Sequence, residues 1–220
     1  MPYQKLGLKC GLEIHQQLEG KKLFCNCPTV LRDDPPHFTI KRKLRATAGE
    51  SGEIDIAAVQ EQLKNKTFVY QGYHDTNCLV ETDSEPPHGL NQDALYTTLQ
   101  FCTLVHAQIS SVVQVMRKTV IDGSNTSGFQ RTALVARGGE LNTGAGKVRL
   151  TNISLEEDAC KIICENVREK VYSLDRLGIP LIEIGTAPDI TSPEQCQETA
   201  KKIGLMLRSL PGIKRGLGTI

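Results

Sequence analysis

Two spacings of apolar residues alternate along the chain. Ile56, Val59 and Leu63 recur at helical spacing inside Ile54 to Tyr70, and Leu95, Leu99 and Cys102 form a stripe within Gln92 to His106, with Ala94, Phe101 and Val105 beside it; both segments predict helices. A third helix is expected from "TSPEQC", where Ser192 is a good N-cap, Pro193 suits the first helical position and Gln195 completes a capping box. It should run to about Ser209. Period-two texture takes over in "SVVQVMRKTVI", "FQRTALVAR" and "KVRLTNISLEED", separated by the turn-rich "DGSNTSG" and "GGELNTGAG", which predicts an antiparallel series. Leu6 to Leu18 reads as a first strand, and Gly178 to Gly185 as a strand buried on both sides. The prolines of "FCNCPTVLRDDPPHF" exclude regular structure there. The order predicts an α+β fold: a mixed, mainly antiparallel sheet with helices packed on one face.

The 220 residues carry a net charge of +1, so no global field argues for or against a nucleic-acid partner. The one dense basic cluster, "KRKLR" at Lys41 to Arg45, reads first as a solvated surface. No apolar run of about 18 residues is present to span a bilayer, and "MPYQKLGLKC" lacks the apolar core of a signal peptide; a cytoplasmic protein is expected. Eight dispersed cysteines do not make a disulfide scaffold. The apolar, glycine-bearing ending "PGIKRGLGTI" suggests a fragment of a longer polypeptide.

The chemistry lies in acidic residues on apolar strands. In "CGLEIHQQL", alternation places Glu13 and His15 on one face and Leu12 and Ile14 on the other. In "NISLEEDA", Glu157 continues the apolar face of Ile153 and Leu155, while Glu156 falls with Ser154 and Asp158. Glu183 is the one charge in "GIPLIEIG". A buried carboxylate costs several kcal/mol unless it is paired or bound to a metal. Carboxylates with one imidazole suit Mg²⁺ or Mn²⁺; pairing with Arg117, Arg131 or Arg176 would serve equally well. The turn "DGSNTSGFQRT", flanked by Arg117, Lys118 and Arg131, offers backbone donors for a phosphate, or is a plain hairpin connection. "GAGK" is not a P-loop, because Leu141 stands at the first glycine position and Val148 follows Lys147. Cys25 and Cys27 of "CNC" need two further donors for a closed zinc site, and Cys78, with His74 four residues before it, is the available complement.

Taken together, "GLEIHQQL", "KLFCNCP", "MRKTVIDGSNTSGFQRT", "ISLEEDACK", "DRLGIPLIEIGTAPDITSPEQ" and "RGLGTI" resemble the GatB/GatE family of tRNA-dependent amidotransferase subunits, its archaeal branch above all. The resemblance covers essentially residues 1–220 and implies the N-terminal catalytic cradle domain without inserted and C-terminal tRNA-binding parts. It implies that ATP phosphorylates the γ-carboxylate of glutamate on tRNA(Gln) and that ammonia then displaces the phosphate. Glu13, His15, Glu157 and Glu183 fall on the metal (Mg²⁺) and catalytic positions. Arg117, Lys118, Ser124 and Ser127 fall on the region lining the nucleotide or acceptor pocket, and Arg176 is expected as a clamp on phosphate or carboxylate. Bacterial relatives complete a zinc site with a CxxC, where this chain offers Cys25, Cys27 and Cys78. The implied partners are Glu-tRNA(Gln) and an asparaginase-like glutaminase, GatD, that supplies ammonia. The alternative is a non-catalytic scaffold that docks glutaminase and tRNA, with the glutamates in structural ion pairs.

Overall fold

A computed structural model describes residues 3–46, 48 and 51–220. In chain order these form a 3-10 turn at Tyr3–Leu6, β1 (Glu13–Gln17), β2 (Phe38–Lys43), α1 (Ile56–Leu63), β3 (Thr67–Gly72), α2 (Gln92–Leu104), β4 (Gln108–Ile109) and β5 (Val115–Thr119). There follow β6 (Phe129–Arg137), β7 (Glu140–Thr143), β8 (Gly146–Glu157), β9 (Lys161–Glu165), β10 (Glu169–Ser173), β11 (Pro180–Thr186) and α3 (Pro193–Arg208). The fold is α+β, as the order of periodicities predicts.

Seven strands make the larger sheet, in the order β1-β11-β8-β6-β4, with β5 also on β6 and β7 on β8; every pairing is antiparallel. One face is the main core. Ile153, Leu155, Ile182, Ile184, Val135 and Ala136 meet Phe101, Cys102 and Val105, in and just after α2, and Ile203 and Leu207 of α3. The helix starts follow from their caps. Asn91 accepts from the backbone N–H of Asp93 and Ala94, and Ser192 Oγ accepts from Gln195 N at 3.1 Å. Gln195 Oε1 in turn accepts from Thr191 N at 2.9 Å, one residue before the cap itself.

Residues Ile54 to Tyr70, expected as one helix, are instead α1 followed by β3. Asn65 has φ of 51° and breaks the helix. The β-branched and aromatic run "TFVY" then fills the middle of a second, four-stranded sheet, β2-β3-β10-β9, in which β3 and β10 run parallel. Its core is Phe68, Tyr70, Cys160, Tyr172, Leu174 and Leu177. The basic cluster at Lys41 to Arg45 begins as the end of β2, with Lys41 and Lys43 exposed. The first strand is shorter than Leu6 to Leu18, since the 3-10 turn and Gly7 at φ 67° precede it.

The β5–β6 turn joins the two sheets. Tyr70 Oη donates to Gly123 O at 2.8 Å, Tyr172 Oη to Asp122 O at 2.6 Å, and Cys160 N to Ser124 O at 2.8 Å. Gly123 has φ of 79°, and a Cβ there would sit 2.5 Å from the Phe68 ring. No helix among the described residues is long and apolar enough to cross a membrane.

Candidate functional site

The second face of the larger sheet is polar, and strand register decides what lies on it. His15 is opposite Glu183 on β11, Glu183 is opposite Ser154 on β8, and Thr132 on β6 is opposite Glu156. Met116 pairs with Thr132 and Lys118 with Gln130 on β5. Because paired residues share a face and alternate along each strand, Glu13, His15, Glu183, Glu156 and Lys118 come to one surface. His15 Nε2 lies 3.5 Å from Glu13, 3.5 Å from Glu156 and 3.6 Å from Glu183. Lys118 Nζ lies 2.7 Å from Glu156 and 3.4 Å from Glu183.

The floor of this face is fixed and its rim is open. The Glu156 side chain is 3% exposed and accepts from Gln130 Nε2 at 3.0 Å and Thr132 Oγ1 at 3.1 Å, while Asn152 Nδ2 donates to Glu183 at 3.2 Å. Glu13 is 67% exposed. The hydrogen bond from His15 holds the Glu183 carboxyl down at about 2, and the same bond raises the His15 imidazole above its ordinary value. Burial raises Glu156. Burial opposes the charge on Lys118, yet Glu156 and Glu183 raise it above the usual lysine range. Three carboxylates, those of Glu13, Glu156 and Glu183, thus face one ammonium and one imidazole. A set of hard oxygen donors with one imidazole, in which one donor atom each from Glu13, His15 and Glu183 lies within 4.8 Å of the others, fits a Mg²⁺-class cation.

Glu157, expected among the metal ligands, is not on this face. It points into the core side, where Arg131 Nη1 reaches its two oxygens at 3.0 and 3.2 Å and Arg131 N donates at 3.1 Å. Burial raises its carboxyl and Arg131 opposes the rise. Glu156, its neighbour, takes the place beside His15 and Glu183. Alternation already separates the two residues in the sequence; the missing signal is which face Glu183 shares.

The expected nucleotide-pocket residues divide. Lys118 joins the carboxylates. Arg117 points to the opposite face, 5.3 Å over the Phe129 ring, and with Arg42, Arg45 and Ser127 it lines a cavity of about 910 Å³ between β5, its following turn, the end of β2 and Ala58 of α1. None of Glu13, His15, Glu156, Glu183 or Lys118 lines that cavity. Ser124 and Ser127 bond within or beside their own turn, Ser124 N to Asp122 and Ser127 Oγ to Phe129 O. Arg176 Nε and Nη2 donate to the Ala159 and Cys160 carbonyls at 2.8 and 3.0 Å, which holds the segment after β8.

A second cluster joins Cys25, Cys27 and Cys78 with Glu81, one donor atom of each within 4.8 Å of the others. Glu81, not His74, is the fourth member. Cys25 Sγ lies 2.8 Å from Glu81 Oε1, and Cys78 N donates to Oε2 at 2.7 Å. The hydrogen bond between the two thiols raises Cys25 and lowers Cys27.

The sequence profile of the GatB/GatE catalytic domain matches residues 8–220. The GatE protein of Methanococcus vannielii, a component of glutamyl-tRNA(Gln) amidotransferase, is 55% identical over 219 residues, which is 99% of this chain and 35% of that protein. The corresponding proteins of Sulfolobus acidocaldarius and Haloarcula marismortui are 53% and 51% identical over 100% and 99% of this chain, and 34% and 35% of their own lengths. The chain thus spans about a third of the relatives it matches. On the strength of that match across nearly its whole length, the chain belongs to the GatB/GatE catalytic domain family.

Proposed function

We propose that this chain is the catalytic cradle of a glutamyl-tRNA(Gln) amidotransferase, and that the polar sheet face is where the γ-carboxylate of tRNA-borne glutamate is phosphorylated by ATP and then amidated. The observation that carries the reading is the convergence of Glu13, His15, Glu183, Glu156 and Lys118 on one surface; the glutamyl-tRNA(Gln) amidotransferase names of its relatives support the choice of substrate.

The reaction balances in two steps. A γ-carboxylate oxygen attacks the γ-phosphorus of ATP and ADP leaves. Ammonia then adds to the acyl carbon, inorganic phosphate departs, and the nitrogen sheds a proton to leave the amide. Both steps gather negative charge at the phosphoryl oxygens, so the site must supply positive charge in a fixed geometry. Glu13, His15 and Glu183, with Glu156 behind them, would hold Mg²⁺, which when bound neutralises phosphate oxygens and aligns the transfer. Lys118 adds a cation from the chain itself. Tethered by Glu156 and Glu183, its ammonium sits where it reaches an incoming phosphoryl oxygen without a large search. Gln130 and Thr132 keep Glu156 from swinging away, and Asn152 does the same for Glu183. Among the carboxylates singled out in the sequence, Glu157 alone follows the scaffold alternative, as an ion pair with Arg131.

Among the described residues, no serine or cysteine on the polar face is arranged as a glutaminase nucleophile, so ammonia would come from a separate asparaginase-like glutaminase of the GatD kind. Calorimetric titration of MgATP tests the reading: Glu183→Gln should abolish binding in a folded protein. Undiminished binding by that variant would refute the assignment.

A further inference from the structure

Helix α1 turns its apolar side outward. At 3.6 residues per turn, Ile56, Val59 and Leu63 fall within about 60° of one another around the helix axis, yet they are 79%, 38% and 72% exposed. Ala58, the one buried residue of this helix, lies on the opposite side, and the Glu61 side chain beside it is 17% exposed. Ile54, just before the Asp55 cap, adds a further exposed apolar side chain. The reversal is unusual, since a surface helix draws most of its stability from burying its apolar side. Eight residues also fall short of the length, about 12–15, at which a helix persists alone in water. An outward apolar stripe on a helix this short is a face that something else covers.

We propose that α1 is the contact of a symmetric dimer, in which it packs antiparallel on the α1 of a second copy of this chain. The two-fold axis passes beside Val59 and Gln60, the middle of the stripe, so Ile56 of each copy meets Leu63 of the other and the two Val59 side chains meet. A contact of this symmetry needs one self-complementary patch, and charge makes this one so. Glu53 and Asp55 stand exposed at the N-terminal end of the helix, and Lys64, its side chain 60% exposed, stands at the C-terminal end. Antiparallel packing sets each acidic end against the basic end of the other copy, and places the positive end of each helix dipole beside the negative end of the other. Parallel packing would bring like charges together. Gln60 and Gln62, which flank the stripe, carry no charge, so the contact buries no unpaired ion between its ends. None of these residues belongs to the polar sheet face, and nothing in the assignment depends on the amidotransferase reading.

Sedimentation equilibrium of the chain under reducing conditions is the test, and a reversible monomer–dimer equilibrium is expected. Leu63→Asp, at an exposed position, should leave the fold intact by circular dichroism and weaken the dimer by at least about tenfold, because each substitution enters a symmetric contact twice. Lys64→Glu should weaken it too, and adding Glu53→Lys to the same chain should restore it; the two positions are eleven residues apart in sequence and meet only between copies. Val59→Cys should yield, on mild oxidation by glutathione disulfide, a dimer linked through position 59 of both chains. A chain that stays monomeric up to about 1 mM would overturn the proposal and leave the stripe to a partner of another kind. A dimer indifferent to Leu63→Asp, or one that the charge exchange does not restore, would overturn it as well.

Discussion

Glu156 and Glu157 are neighbours in sequence and lie on opposite faces of β8: Glu156 meets Lys118 at 2.7 Å on the polar face, and Glu157 meets Arg131 at 3.0 Å on the core side. One peptide bond therefore separates a carboxylate of the polar face from one paired on the core side.

Glu157→Gln should leave a buried guanidinium without its counter-charge and destabilise the protein by about 3–5 kcal/mol, while MgATP binding by the remaining folded fraction stays close to wild type. Glu183→Gln should do the reverse, with a small change in stability and loss of binding. Urea denaturation and titration calorimetry on the two variants separate these outcomes. If Glu157→Gln loses MgATP binding while fully folded, the division of roles is wrong.

Lys118→Met removes an ammonium that competes with a metal for Glu156 and Glu183. Close charges near a protein surface interact by up to a few kcal/mol, so Mn²⁺ should bind about tenfold tighter, read by paramagnetic resonance of free Mn²⁺. In the complete amidotransferase, ATP-dependent turnover should fall on the order of 100-fold, as expected when a donor to developing charge is lost. Weaker Mn²⁺ binding would argue that Lys118 organises the carboxylates and does not oppose the metal.

Gly123→Ala tests the joint between the sheets. The position needs φ of 79° and leaves no room beside the Phe68 ring, so strain and overlap should together cost about 1–3 kcal/mol. Thermal unfolding followed by tyrosine near-ultraviolet dichroism reports it, because Tyr70 and Tyr172 both donate to this turn. Unchanged stability would show that the turn is looser than its contacts imply.

Acid stability should depend on Asp189. Its hydrogen bond with Arg149, on β8, holds the carboxyl at about 2. A group whose folded value is depressed stabilises the fold above its unfolded value, about 3.9 for aspartate, and that contribution is lost as pH falls towards 2. Wild type should exceed Asp189→Asn in denaturant midpoint at neutral pH, and the gap should narrow between about pH 4 and pH 2. A constant gap across that window would assign the difference to packing.

Much of this protein is legible in one dimension. Period-two alternation puts Glu13 and His15 together and keeps Glu156 and Glu157 apart, because side-chain direction along a strand is local geometry. The caps at Asn91 and Ser192 mark the starts of α2 and α3 as helix-end chemistry requires; of these, Ser192 stands out in the sequence. The second sheet is less legible: "TFVY" follows a helical stretch without a strong breaker, and only burial between β2 and β10 makes it a strand.

The direction of each side chain within its own strand, and the energetic oddity of carboxylates on apolar segments, are set by residues close in the chain. Which neighbour resolves that oddity was decided by tertiary structure. The register of β8 against β6 gives Glu157 to Arg131, the register of β11 and β1 gives Glu183 to His15, and the packing of distant loops gives Cys25 and Cys27 to Glu81. Such pairings depend on contacts between residues far apart in the chain, which no local period encodes.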